Sequence, residues 1–394
     1  MRRNKIFAAL LWVLLPAAAG AQDGMTRVLG DIAAHSTALD VLARSRDAAR
    51  AANRTGLTLA APELGFDYLF GSPADMGHKR NYKVAQNFDI PTLSGAKRRA
   101  ADGQDSVAAT QYDVARTALL LEAKKQCIEV IYQNQLLALL ARRQQTVARL
   151  AALAEERAER GDGTALDLNN ARLSLAAIEV DRAEGEATRA ALLADLKRLN
   201  AGRDVDLPDT LYGTPDVPAD FAAWYAGVEA RWPQLRAAEA TVGAAERSRR
   251  LARQENLPEL SVGYMQETTS AEAWRGLTFG VTLPLWSNRG KRRKAEADVA
   301  LAQAQLRDAR TQLRATLEAG YAKTVALARS ADRMGRAVAG SNNLPLLAKA
   351  LRLGQVSQID YLQEVDRYYE LAARELQMRR DAELAKAELT AADL

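Results

Sequence analysis

The chain has 394 residues, of which 48% are hydrophobic and only 6% aromatic, and its net charge is +5. That length suffices for one large domain or two ordinary ones. Because Lys and Arg are interleaved with Asp and Glu, the charge is typical of solvated helix faces and gives no indication of nucleic-acid binding. The single cysteine, Cys127, excludes an intrachain disulfide, and its apolar helical surroundings predict a buried side chain.

The N-terminus has the pattern of a secretory signal peptide, which we assign to residues 1–21. Arg2, Arg3 and Lys5 form its positively charged start, and residues 6–15 form its apolar core. Ala19-Gly20-Ala21 then offers a cleavage site of small residues. The apolar core is too short to span a membrane as a helix, and no later stretch has about 18 apolar residues. We therefore expect an exported protein without transmembrane helices.

A helix and a β-hairpin are predicted to follow. Residues 25–54 are rich in Ala, Leu and Arg, which indicates helix. Residues 64–70 and 82–90 then alternate apolar with polar or small side chains on either side of a run of turn-forming residues. Two such runs around a turn are typical of a hairpin, and we expect Pro91 and Gly95 to end it.

A very long helix is predicted next. Residues 96–159 contain almost no Gly or Pro, and their apolar residues recur every three or four positions. A single helix of this length extends about 96 Å. Gly161 is expected to break it, and a second helix is predicted over residues 165–200.

The second half of the chain repeats this order of elements. The predicted elements are a helix at 221–254, strands at 258–266 and 277–285 around a turn at 267–275, a long helix at 291–352 and a last helix at 358–389. Pro284 and Gly290 close the second hairpin as Pro91 and Gly95 close the first. The sequence therefore predicts two tandem structural repeats, residues 22–205 and 206–394, within one integrated domain.

One short phrase occurs once in each repeat. Residues 160–172 read RGDGTALDLNNAR and residues 352–366 read RLGQVSQIDYLQEVD. Each phrase has a glycine, then Thr or Ser, then an aliphatic residue followed by Asp. Both phrases fall where a long helix is predicted to end and the next helix to begin.

The strands are amphipathic, and four of them cannot close a barrel, because about eight are needed to enclose filled space. The apolar sets are Leu64, Phe66, Tyr68 and Phe70, and Leu277, Phe279, Val281 and Leu283. Apolar residues facing out and polar residues facing in are typical of outer-membrane barrels, and open sheet edges are not tolerated in lipid. Either several chains share one barrel, or the strands form a soluble sheet with one buried face.

The chain resembles the TolC-like outer-membrane efflux proteins. The resemblance covers nearly all of the mature chain and is carried by VTLPLWSNRGKRRKAEADVALAQAQ and by the two glycine phrases, while VAQNFDIPTLSGAKRR is similar to the metal-and-drug efflux branch. It implies a mainly α-helical fold with a small β part. It also implies a homotrimer in which each chain gives four strands to a 12-strand transmembrane β-barrel and its helices to a periplasmic tunnel.

The resemblance also implies a function and partners. Members of the family are channels in the Gram-negative outer membrane that export drugs, metal ions or proteins. They work with a periplasmic adaptor and an inner-membrane pump, here expected to be of the resistance-nodulation-division type. No catalytic, metal or cofactor site is expected.

Specific residues carry over from the family by position. Asp360 matches an acidic residue of the pore gate, Asp167 is its counterpart in the first repeat, and Gln363 replaces a second gate acid. The turns that meet the adaptor are Gly161, Asp162, Gly163 and Thr164, and Gly354, Gln355, Val356 and Ser357. The alternative is that these residues only start helices, since Ser and Thr are good N-caps and an acid suits the first turn.

Two basic runs and two histidines remain. Residues 97–99 and 291–294 are basic and follow the hairpins; they either meet anionic lipid headgroups or are solvated helix starts. His35 and His78 are isolated, and no spacing of Cys, His and acids predicts a metal site.

Two other classes of protein remain as alternatives. A periplasmic adaptor is also exported and rich in helical hairpins, but we expect one such hairpin there, flanked by Gly-rich β domains. The second alternative is a structural coiled-coil protein of the envelope. Such a protein would have sustained heptad repeats and no strands in which apolar and polar residues alternate.

Overall fold

Helices and one small sheet make up the computed structural model, which describes residues 20–73, 77–161, 164–212, 217–283, 289–341 and 343–394. The predicted signal peptide up to residue 19, Asp162, Gly163 and Pro284 lie outside the described residues. The helices are α1 Gly20–His35, α2 Thr37–Arg54, α3 Pro91–Glu159, α4 Ala165–Leu199, α5 Phe221–Glu229, α6 Pro233–Gln254, α7 Arg289–Gly340, α8 Leu344–Arg352 and α9 Gln358–Leu389. The strands are β1 Glu63–Phe70, β2 His78–Phe88, β3 Glu259–Thr268 and β4 Ala273–Thr282.

The predicted order of elements is confirmed in both halves of the chain. Each half has helix, two strands, a long helical stretch, a glycine turn and a last helix. The limits predicted for α9 agree with the structure, and those for α4 differ by one residue. Within the described parts of the chain, none of the helices combines the length and the apolar character needed to cross a membrane.

Three predicted helices are each divided in two, so their predicted limits are wrong. The helix predicted over 25–54 is interrupted at Ser36, and Ser is a favoured residue just before a helix. Pro233 starts α6, and the N–H that Pro lacks prevents α5 from continuing through it. The helix predicted over 291–352 ends at Gly340, and α8 restarts with Pro345 in its first turn.

Limits at the hairpins also differ from the prediction; for example, β2 begins at His78 and not at residue 82. The helix α3 begins at Pro91, so Gly95 lies inside the helix and not at the junction between strand and helix. The second hairpin turn is shorter than predicted, because Trp274 belongs to β4 and pairs with Glu267. The backbone N–H of Thr269 donates to the carbonyl of Glu272 at 2.8 Å and closes this turn.

The four strands form one antiparallel sheet in the order β1-β2-β3-β4. Pairing of β2 with β3 joins the hairpins of the two repeats, for example at Val84 opposite Tyr264. At Gly263 a Cβ would lie 2.6 Å from the carbonyl oxygen of Val84 and from the Oγ1 of Thr278. Glycine is therefore required for the close approach of β2 and β4 to β3 at this position.

Contacts divide the chain into two compact units, and each unit draws on both halves of the sequence. The first contains the described residues up to Thr37 together with Leu120–Pro218 and Gly320–Thr390. The second contains Ala38–Leu119, Ala219–Ala319 and Ala391–Leu394, and so includes the whole sheet. The division of the sequence into repeats at residue 205 stays a prediction.

The first unit has an apolar core close to the glycine turns. Its members come from α3, α4, α8 and α9, and they are Val147, Leu150, Ile178, Leu351, Tyr361, Leu362, Val365 and Tyr369. Burial of these side chains stabilises the helix ends that hold the two turns.

Candidate functional site

Both glycine turns need a residue with positive φ. Gly161 has φ +78° and Gly354 has φ +68°, a region that costs side chains about 1–2 kcal/mol. The N–H of Gly354 donates to the carbonyl of Leu351 at 3.1 Å, and that of Gln355 donates to Ala350 at 2.9 Å. These two bonds satisfy the last carbonyls of α8, as glycine-terminated helices commonly do.

Each turn is followed by a capped helix with an acid in its first turn. The Oγ1 of Thr164 accepts from the N–H of Asp167 at 3.1 Å and donates to its carboxylate at 2.7 Å. The Oγ of Ser357 makes the same pair of contacts to Asp360, at 3.1 and 2.6 Å. The repeated phrase therefore encodes the same cap twice, and the carboxylates also suit the positive end of the helix dipole.

The two capped helix starts lie next to each other in the first unit. Gln358, which is only 8% exposed, donates through Nε2 to the backbone carbonyl of Asp167 in a long contact of 3.5 Å. Asp360 and Gln363 are exposed and stand three residues apart, so they share one face of α9. This contact places the start of α4, with Asp167, beside the start of α9, with Asp360, although the two helices come from different repeats.

Two polar contacts that the sequence does not predict support this region. Arg143 of α3 donates to the carboxylate of Asp366 in α9 at 3.0 Å, and Thr146 and Tyr369 share a hydrogen bond of 3.2 Å. The partners stand 223 positions apart in both pairs, so no local pattern indicates them. One turn earlier in α9, burial raises the pKa of the Tyr361 hydroxyl, which therefore stays protonated and neutral.

The sheet presents an exposed apolar face that crosses all four strands. Leu64, Val84, Tyr264 and Leu277 lie side by side in register, and Leu64 remains 78% exposed in the single chain. Further exposed members of the same face are Phe66, Tyr68, Phe70, Tyr82, Phe88, Leu260, Val262, Phe279 and Val281. Apart from Leu283, which lies beyond the end of β4, the predicted outward sets therefore lie on one surface, which the described part of the chain does not cover.

The opposite face of the sheet is more polar and built from smaller residues. Gly65, Lys83, Met265 and Gly276 form one row, and Asp67, Asn81, Glu267 and Trp274 form another. Lys79 and Glu267 make an ion pair between neighbouring strands on this face. The two faces together have the alternation that outer-membrane strands show.

The basic runs follow the sheet directly. Lys97 pairs with Asp89 at 2.5 Å, Lys291 with Glu255 at 3.0 Å and Lys294 with Asp298 at 2.7 Å. The lysines thus have carboxylate partners. The arginines of the same runs, Arg98, Arg99, Arg292 and Arg293, make no such pair with any residue that the structure describes.

The two histidines occupy unrelated positions. His35 contacts the carbonyl of Asp31 in its own helix at 2.9 Å, and the ring of His78 stacks on Tyr68 at the outer end of the first hairpin. Within the ranges described, no three His, Cys, Asp or Glu side chains are grouped so as to hold a metal ion.

Solved outer-membrane channels have the same fold as this chain. The CmeC outer membrane channel of Campylobacter jejuni superposes with a TM-score of 0.76 at 12% identity, over 99% of this chain and 92% of that one. The open state of the MtrE outer membrane channel of Neisseria gonorrhoeae superposes with a TM-score of 0.75 at 17% identity, over 94% of this chain and 88% of that one. The outer membrane protein VceC of Vibrio cholerae superposes with a TM-score of 0.74 at 15% identity, over 96% of this chain and 98% of that one.

These likenesses confirm the fold that the resemblance predicts, along nearly the whole of each chain. No protein-family model and no curated protein sequence matches the chain.

Proposed function

We propose that this chain is the outer-membrane channel of a tripartite efflux system in a Gram-negative bacterium. As a homotrimer with a long periplasmic extension, it passes small molecules or metal ions from the periplasm to the outside. Its partners in this proposal are a periplasmic adaptor and an inner-membrane pump of the resistance-nodulation-division type. The metal-and-drug branch of the resemblance supplies the substrate class.

The observation that carries the proposal is the exposed apolar face of the four-stranded sheet. An exposed apolar surface that crosses four strands favours contact with another protein or with a membrane over contact with water. The strands β1 and β4 end the sheet with unpaired backbone groups, and lipid does not tolerate such edges. Pairing β4 of one chain with β1 of the next closes both edges, and three chains give a 12-strand barrel. The shared fold with solved outer-membrane channels supports the same arrangement.

Asp360 is the proposed pore gate, with Asp167 and Gln363 beside it. A threefold axis repeats each position three times, so one acid per chain becomes a ring of three. Rings of acidic side chains attract cations and repel anions in channels. Because Gln363 is uncharged, Asp360 and Asp167 supply the negative charge at this level.

The glycine turns are the proposed contact with the adaptor. Both turns join antiparallel helix pairs, and their ends lie in the unit without the sheet. Gly354, Gln355, Val356 and Ser357 form the described turn of the second repeat, and Gly161 and Thr164 flank the corresponding turn of the first. Thr164, Gln355 and Ser357 are exposed and open to a protein partner, whereas Val356 is partly buried against the apolar core.

The proposal assigns no enzymatic activity. The location of the protein in the cell envelope distinguishes it from the two alternatives, a periplasmic adaptor and an envelope coiled coil. An adaptor or an envelope coiled coil does not place its strands in the outer membrane. We expect membrane fractionation to recover the protein with the outer membrane, as a trimer band that heating converts to monomer on a gel. Recovery in the soluble periplasmic fraction, with a monomer band before heating, would reject the channel function.

A further inference from the structure

Four exposed arginines in the first three turns of α3 and α7 have no part in the channel function. They are Arg98 and Arg99 in α3 and Arg292 and Arg293 in α7, and all four are exposed. Among the residues that the structure describes, none of their guanidinium groups pairs with a carboxylate. We name these four residues the arginine collar.

One arginine of the collar, Arg292, lies in the first turn of its helix, where helix electrostatics disfavours a cation. The N-terminus of a helix carries partial positive charge, so cations there are destabilising and acids are preferred. The helices α4 and α9 follow that rule, with Asp167 and Asp360 in their first turns. The helix α7 has no acid in its first turn and carries Arg292 there instead, whereas Arg98 and Arg99 lie two turns into α3, beyond the reach of this effect. A binding partner that is anionic would offset this unfavourable arrangement.

The collar lies directly beside the apolar face of the sheet. The strand β2 ends at Phe88 and α3 starts at Pro91, while β4 ends at Thr282 and α7 starts at Arg289. Phe88 and Val281 belong to the exposed apolar rows at this end of the sheet. The surface therefore changes from apolar at Phe88 and Val281 to cationic at Arg98 and Arg292, ten and eleven residues further along the chain. A similar change occurs at the boundary between hydrocarbon and headgroups.

The side chain of Arg99 points back toward the sheet. Side chains on a helix lean toward its N-terminus, which for α3 and α7 is the end joined to the strands. At Gly95 a Cβ would lie 3.4 Å from the Nη1 of Arg99, so the guanidinium of Arg99 lies one helical turn nearer to the sheet than its own Cα. The backbone of Arg99 is roughly 12 Å from the start of α3, and this lean brings its charge closer to the strands.

We propose that the arginine collar binds the phosphate groups of anionic phospholipids in the periplasmic leaflet of the outer membrane. This inference rests on the proposed function, because it needs the sheet to be inserted in lipid. A headgroup layer is roughly 5–8 Å thick, which is within reach of long side chains that extend toward the membrane. Guanidinium groups suit phosphate because they bind its oxygens in pairs.

The test measures lipids retained by the purified trimer in detergent. Native mass spectrometry would be recorded with equal amounts of phosphatidylglycerol or phosphatidylcholine, so that only the net charge of the headgroup differs. The variant Arg292→Gln/Arg293→Gln removes two collar charges, and a second variant adds Arg98→Gln/Arg99→Gln. The matched control, Arg307→Gln/Arg329→Gln, removes two exposed arginines further along the same helix.

We expect the wild-type trimer and the control to prefer phosphatidylglycerol. The preference should decrease by roughly fivefold for each collar arginine removed, and inorganic phosphate at millimolar concentration should not compete, because a lipid also contacts the apolar face. Equal retention in collar and control variants of an intact trimer would overturn this inference alone. Competition by inorganic phosphate would show a free-anion site and overturn the lipid assignment. Failure of the wild type to form a trimer in any lipid would overturn the proposed function as well.

Discussion

The position of Asp360 in α9 allows it two roles, and substitutions of single residues can separate them. Its backbone N–H and carboxylate are both held by Ser357, which is a helix cap. Its side chain is also exposed on the face shared with Gln363, where a threefold axis would make it a ring. The first role concerns stability and the second concerns ion flow.

Asp360→Asn is expected to weaken the cation preference of the channel in a planar bilayer, because it removes three charges per trimer. The amide keeps the size of the side chain, so the free energy of unfolding should fall by no more than about 1 kcal/mol. Asp167→Asn should change the preference in the same direction by a smaller amount.

Ser357→Ala is the control for that measurement. It removes the cap, at a cost of about 1 kcal/mol, and leaves the carboxylate of Asp360 in place. We expect unchanged ion selectivity in this variant. Selectivity that is lost in Ser357→Ala and retained in Asp360→Asn would contradict the gate assignment and leave only the capping role.

Gly354 is the residue on which the second turn depends. Gly354→Ala forces a Cβ into a positive φ and should destabilise the first unit by about 1 kcal/mol. Gly243→Ala, at a helical glycine with nothing within 4 Å of a Cβ, should instead stabilise by about 0.5–1 kcal/mol. Chemical denaturation of both variants measures the difference, and equal effects would show that the positive φ carries no cost.

At the scale of whole elements, the order of helices and strands follows from the sequence, but several of their limits do not. Alternation in residues 64–70 and the helical period after residue 96 are strong patterns that packing reinforces. Pro233 and Pro345 are local signals of a break, yet the Ala, Leu and Arg around them favour one continuous helix. The strand β4 begins in a segment of Thr, Ser, Ala and Glu that favours a turn, and only pairing with β3 extends it to Ala273.

Only the parts of the candidate site that are formed by residues close together in the chain could be predicted from the sequence. The phrase that ends in Asp167 or Asp360 encodes each cap within four residues, so sequence alone identifies both. The contact from Gln358 to Asp167 and the contact from Arg143 to Asp366 join distant segments. Such pairs depend on how α3, α4 and α9 pack, and no spacing along the chain indicates them.

The sheet depends on glycine at one central position. Gly263→Ala should strain the contacts of β3 with β2 and β4, because its Cβ would lie 2.6 Å from Val84 and Thr278. Overpacking of this kind costs about 1–3 kcal/mol, so the temperature at which the trimer dissociates should fall. Gly276→Ala in the neighbouring strand meets nothing within 4 Å and should leave that temperature unchanged. Equal dissociation temperatures for the two variants would show that the close approach at Gly263 is not needed.

The hairpin turns are expected to face the outside of the cell. Cysteine introduced at Ser72 or Ser270 should react on whole cells with a thiol reagent that does not cross membranes. The native Cys127 gives little background, because burial raises the pKa of its thiol to about 12 and keeps it protonated. Protection at both turns, together with labelling of a cysteine placed at Asp162, would show that the channel is inserted the other way round.

At the scale of the whole molecule, the account depends on assembly. A single chain exposes apolar side chains on all four strands and leaves both sheet edges unpaired. A ring of gate acids, a closed barrel and a lipid-facing collar all require several copies around one axis. The shared fold with solved outer-membrane channels concerns one chain and leaves the number of copies to be measured.

The most direct test of the account is the native mass of the protein extracted from outer membranes in detergent. We predict three chains per particle, and cross-linking between β4 of one chain and β1 of the next, for example between cysteines introduced at Thr278 and Gly65. A monomer that stays soluble without detergent would contradict the account, because its apolar sheet face would then need no lipid and its edges no partner.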